Sequence, residues 1–197
     1  MLKSRSPEQG CGLLLLGTVA VGGAFVLIGY FLAYQVMDTS ARREFVAISI
    51  RELAAQHERN PKDPRNLNAI ISHAKGDYEF GRTYAIWALG ELRTPAKPAL
   101  PILVQSLRSS DQTTVKAAAI ALGKYGPTAI DATPELIRVM DEWKGTDASW
   151  FAADALGRIG SADPHVIAAL KAAATDEDPR LREMATRALE SLQTNED

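Results

Sequence analysis

One short pattern returns along this chain at an almost constant interval. Ala-Leu-Gly occurs at residues 88–90, 121–123 and 155–157, with a degenerate copy, Ala188-Leu189-Glu190, after it; the intervals are 33, 34 and 33 residues. Three positions before each leading alanine stands another, at Ala85, Ala118, Ala152 and Ala185. Residues three apart share one helix face, and alanine there both favours helix and lets a neighbour pack close. The glycine after each leucine suits a left-handed helix end, so each copy reads as a helix terminus. Units repeating at this period cannot bury their apolar faces alone, and three or more must stack.

A first helix precedes each of these second helices. Leu67, Ile70 and Ala74, then Leu100, Leu103 and Leu107, then Leu136 with Met140 and Leu170 with Ala174, form apolar stripes at helical spacing. Asp63-Pro64, Pro98, Thr133-Pro134, Asp163-Pro164 and Asp178-Pro179 punctuate the joints, with Asp or Thr placed to accept backbone N–H bonds and Pro suited to the first turn. The spacing predicts helices over 65–75 and 79–92, 98–108 and 112–125, 133–143 and 147–159, 164–175 and 179–193. No strand pattern competes.

The run Asp178-Pro179-Arg180-Leu181-Arg182 leading to Ala185 and Ala188-Leu189, and the run from Ala152 to Gly160 (AADALGRIG), resemble HEAT repeats of the short type found in phycobilisome lyases. The resemblance covers roughly residues 62–193 and implies a solenoid of about four helical pairs. It says little of function, because such repeats serve lyases, adaptors and assembly factors alike. Val115 and Ser149 stand where Arg82 and Arg182 keep the family's arginine early in the second helix. Arg187, Glu190, Gln193, Glu196 and Asp197 make the C-terminal end polar, and residues 38–61 read as a connecting helix that caps the first repeat.

The N-terminal part reads differently. After a short tail, residues 1–10, no charge occurs between Gln9 and Met37, and Leu13 to Ala33 is almost wholly apolar. A bilayer core about 30 Å thick needs ~20 such residues in a helix, so residues 11–37 are expected to span a membrane. The run is longer than the ~7–15 residues of a signal-peptide core, Cys11 precedes it rather than following it as in a lipoprotein signal, and an all-apolar helix this long has too few partners in a small protein. Tyr30, Phe31 and Tyr34 gather at its end, where aromatic rings favour the headgroup level. Ala20, Ala24, Gly29 and Ala33 stand four apart in two pairs and would let another membrane helix approach. The basic tail, with Lys3 and Arg5, is expected in the cytoplasm, which puts the solenoid on the extracytoplasmic, periplasmic side. The fold class is thus all-α: one transmembrane helix, then a short HEAT-like α-solenoid.

A net charge of −2, from 22 Lys and Arg against 24 Asp and Glu, provides no field for nucleic acid. The single cysteine excludes an internal disulfide. His57, His73 and His165 lack metal-ligand spacing and read as solvated or capping residues; no metal or cofactor and no phosphate loop is implied. In HEAT stacks the second helices line the concave face. Two columns of those helices vary among repeats: Trp87, Ile120, Asp154 and Arg187 in one, Thr83, Lys116, Trp150 and Glu183 in the other. Aromatics and Arg dominate interface energies, so Trp87, Lys116, Ile120, Trp150, Asp154 and Arg187 are the expected partner-binding residues. Only Asp154 and Glu183 offer acids to that face, too few for the alternative of a lyase or isomerase acting on a bound chromophore or protein. The reading is a non-enzymatic, membrane-anchored protein-interaction scaffold, an accessory subunit or assembly factor of a membrane complex.

Overall fold

The structure is a computed structural model and describes residues 37–92 and 97–194. The chain divides into two compact units, residues 1–44 and 45–197. The predicted span, with Ala20, Ala24, Gly29 and Ala33, lies outside the described residues; among those described, no helix is long and apolar enough to cross a membrane.

All regular structure among the described residues is helical. Helix α1 (Thr39–Arg59) opens where the Asp38 carboxylate accepts the Ala41 N–H at 2.8 Å. Four pairs follow: α2 (Pro64–Lys75) with α3 (Glu79–Glu91), α4 (Leu100–Ser106) with α5 (Gln112–Tyr125), α6 (Thr133–Glu142) with α7 (Asp147–Ile159), and α8 (Pro164–Ala173) with α9 (Pro179–Thr194). This is an all-α helical-repeat solenoid. Asp63 and Asp163 cap α2 and α8 by accepting the N–H of Arg65 and His165. Asp111, which the joints did not single out, caps α5 through Thr113 and Thr114.

Thr133 does not cap as expected. It sits inside α6, and its hydroxyl donates to the Ile130 carbonyl at 3.0 Å, because residues 126–132 form a 3₁₀ helix whose end already feeds α6. That 3₁₀ helix was invisible in the repeat pattern. It begins at Gly126, whose φ of 55° suits glycine.

The core is a line of fully buried side chains, one set per pair: Ile70 and Leu89, Leu103 and Leu122, Leu136 and Leu156, Leu170 and Leu181. Each such leucine or isoleucine contributes about 1.5–3 kcal/mol by leaving water. The second helices α3, α5, α7 and α9 pack side by side in sequence, while contact between successive first helices is sparse.

The glycines of Ala-Leu-Gly do not end their helices. Gly90, Gly123 and Gly157 all lie inside α3, α5 and α7, and the left-handed cap after α7 is Gly160, at φ 73°. Their role is close approach. A Cβ on Gly90 would lie 2.8 Å from the Ala121 Cα, one on Gly123 3.1 Å from the Ala155 Cα, and one on Gly157 2.7 Å from the Ala188 Cα. Each repeat's glycine therefore receives the backbone of the next repeat's alanine. Glu190, in the same column of α9, is exposed, so a long side chain is tolerated there.

Candidate functional site

The second helices carry the two columns expected to bind a partner, and the structure gives them different duties. Thr83, Lys116 and Trp150 each reach to the start of the following second helix. The Thr83 and Thr114 hydroxyls are 2.8 Å apart, the Lys116 ammonium donates to Asp147 at 2.7 Å, and the Trp150 indole N–H donates to Asp178 at 2.5 Å. The Arg180 guanidinium lies 5.7 Å from the Trp150 ring centroid, in reach of a cation–π contact. Hydrogen bonding by Trp150 holds the Asp178 carboxyl below its usual range. Burial pushes Asp147 up, but the bonds from Lys116 and Gln112 outweigh it and the net shift is down. This column is a ladder that ties neighbouring repeats together.

The other column faces solvent more freely. Trp87 is 46% exposed, Ile120 and Asp154 are half-buried, and Arg187 is exposed. Asp154 pairs with Arg158 at 2.7 Å and Arg187 with Glu183 at 2.7 Å, each within its own helix. Glu91 pairs with Lys124 of the next repeat. Both acids considered for chemistry are thus neutralised by adjacent arginines. Among the described residues no three of His, Cys, Asp and Glu are grouped to hold a metal. His57 is buried rather than solvated, with Nδ1 unpartnered, and burial lowers the pKa of His73.

Trp87 belongs to an aromatic stripe that column arithmetic missed. Phe80, Tyr84 and Trp87 stand at i, i+4 and i+7 on α3, with successive ring centroids 5.8 and 5.7 Å apart. The signal was present in the spacing. Beside the stripe, α1 and α3 enclose an open groove of about 400 Å³, lined by Arg51, Ala55, Tyr84, Trp87, Ala88 and Leu92. Alanines at 54 and 55 in α1 and 88 in α3 keep the two helices from filling it. Arg51 donates to the Tyr84 hydroxyl at 3.4 Å, a long bond that barely constrains it. Lys116, Ile120, Trp150, Asp154 and Arg187 do not line this groove.

Residues 67–146 match the family profile of HEAT repeats, and residues 150–176 that of the PBS lyase HEAT-like repeat. The chain carries HEAT-like repeats. No curated protein matches it in sequence. Among solved structures it is similar to three engineered proteins of the Northeast Structural Genomics Consortium, each 19% identical. The first gives a TM-score of 0.61 over 81% of this chain and 76% of that one; the second 0.58 over 80% and 45%. The third gives 0.60 over 98% and 95%. At this identity the likeness concerns the fold of these HEAT-like repeats alone.

Proposed function

We propose that this chain is a protein-docking scaffold, held at a membrane by residues 11–37, whose HEAT-like stack receives a partner protein on the face of its second helices. The observation that carries the reading is Trp87: a large aromatic, nearly half exposed, beside an apolar groove on a stack whose other charged side chains along that face are mostly paired. Exposed tryptophan in a partly enclosed apolar recess is the kind of anchor that concentrates binding energy. The tight packing of second helices against each other, beside sparse contact between first helices, supports a concave second-helix face. Ile120, Asp154 and Arg187 extend the surface towards the C-terminal end, while Lys116 and Trp150 set its shape through the ladder. HEAT repeats in general serve protein–protein interaction.

The membrane tether rests on the charge-free, apolar stretch from Leu13 to Ala33, which is long enough to cross as a helix; Ala20, Ala24, Gly29 and Ala33 would face a helix partner in the bilayer. The basic residues Lys3 and Arg5 favour a cytoplasmic N-terminus and a solenoid on the far side. Co-purification after mild detergent extraction tests the docking: a partner retained by the wild type should be lost with Trp87→Ala and kept with Lys171→Ala. Equal recovery with both variants would overturn it. Carbonate extraction tests the tether, which predicts retention in the membrane pellet.

A further inference from the structure

The arginine early in the second helix is present in two repeats, as Arg82 in α3 and Arg182 in α9, and the two are not used alike. Arg182 donates through Nη1 to the carbonyls of Asp176 and Glu177, at 2.7 and 2.9 Å, in the turn before its helix. Arg82 reaches the matching turn at one carbonyl only, Gly76 at 3.4 Å, and its Nε is buried with no hydrogen-bond partner. A charged donor buried without a partner carries a larger desolvation cost than a neutral one. The turn before α3 leaves that cost uncompensated.

What differs is the surroundings. Arg82 opens on a recess of about 530 Å³ between the first two repeats, lined also by Lys75, Gln105, Arg108, Ser109 and Ser110. Three cations line it and no carboxylate does. Two acids outside the lining act on these cations, and one of them, Glu135, pairs with Arg108 itself. Asp111, whose charge also acts on Arg82, accepts from the N–H groups of Thr113 and Thr114 and from the Thr114 hydroxyl. Glu135 accepts from Arg108 and Arg138. Lys75 makes no ion pair among the described residues. The next two repeat junctions cannot copy the site, because Val115 and Ser149 replace the arginine.

We propose that this recess binds a phosphoryl oxyanion, either free or carried on a partner's side chain. Guanidinium and ammonium groups donate without accepting, and the planar arginine fork matches tetrahedral oxyanions with several acceptor oxygens. Serine hydroxyls and the Gln105 amide add neutral donors at the rim. The volume exceeds a single phosphate and accommodates a pyrophosphate or a phosphorylated side chain with its stem. The site is separate from the groove at Trp87, so either can fail without the other.

Calorimetric titration of the full chain in detergent at low salt tests this, with pyrophosphate in one arm and a phosphoserine peptide against its unphosphorylated form in the other. The expected result is saturable one-to-one binding in at least one arm, weakened about tenfold or more by Arg82→Gln and by Lys75→Gln and unchanged by Lys171→Gln. The stronger arm identifies the source of the phosphoryl group. Lys75 is exposed, so its variant keeps the test valid if Arg82→Gln misfolds. No saturation with either probe below about 10 mM, or equal weakening by Lys75→Gln and Lys171→Gln, overturns the proposal.

Discussion

Replacing Gly157 by alanine should destabilise this protein, although the same change within most helices stabilises. Alanine gains about 1 kcal/mol over glycine in a helix interior. Here the new Cβ would stand 2.7 Å from both the Cα and the Cβ of Ala188, against 3.4–4 Å for ordinary contact. Helix α9 must retreat by roughly 0.7 Å. The obstacle is backbone, so no side-chain rotation relieves it. Overpacking of this kind costs ~1–3 kcal/mol, and a clash against backbone belongs at the upper end, leaving a net loss of about 1–2 kcal/mol once the propensity gain is deducted. For a chain of this size that lowers Tm by about 2–8 °C, read by circular dichroism at 222 nm. Gly90→Ala, at 2.8 Å, should behave alike, and Gly123→Ala, at 3.1 Å, should lose less. Adding Ala188→Gly to Gly157→Ala should restore only part of the loss, since the Ala188 Cα stays in place. A Gly157→Ala protein as stable as the wild type or more so would refute the close-approach account of the repeated glycine.

Other outcomes follow from the same geometry. Leu156→Ala, at a site with no exposure, should cost ~2–5 kcal/mol in denaturant titrations. Gly160→Ala should lower stability by roughly 1–2 kcal/mol, because the cap after α7 is left-handed at φ 73°. A double-mutant cycle on Lys116 and Asp147 should return a coupling of about 0.5–1 kcal/mol that shrinks in high salt, as befits a partly exposed pair. Asp111, Asp147 and Asp178 titrate below their usual values in the folded chain, so the unfolded chain takes up protons first on acidification. Their stabilisation is complete above the ordinary carboxylate pKa near 4 and disappears as pH falls through the lowered folded values. Thermal scans from pH 6 to pH 2 should show that loss, and Trp150→Phe should make it shallower by removing the main influence on Asp178.

The stack could be read from residue spacing because a helical pair is a local unit: leucine stripes, proline joints and the alanine-glycine column repeat wherever the same packing recurs. The 3₁₀ helix at Gly126–Ala132 escaped because its counterpart before α4 is a single turn, Lys97–Ala99, and periodicity reports only what recurs at equal length. The role of Gly90, Gly123 and Gly157 was misassigned for a related reason. A glycine near a helix end suits both a left-handed cap and a close approach, and only the position of the neighbouring backbone separates them. Column arithmetic placed Trp87, Ile120, Asp154 and Arg187 on one helical face. It could not tell that Lys116 and Trp150 spend their donors on the next repeat, since that depends on the length of each side chain and the offset between helices. The groove at Trp87 was hidden because half of it comes from α1, which lies outside the repeat.

The docking of a partner at the N-terminal end of the stack is tested most directly by a photo-reactive amino acid at position 87 in native membranes, with position 171 as the control. A discrete adduct from position 87, absent from position 171 and abolished by Tyr84→Ala, is the predicted result. Adducts of the same pattern from both positions, or none from position 87, would contradict it.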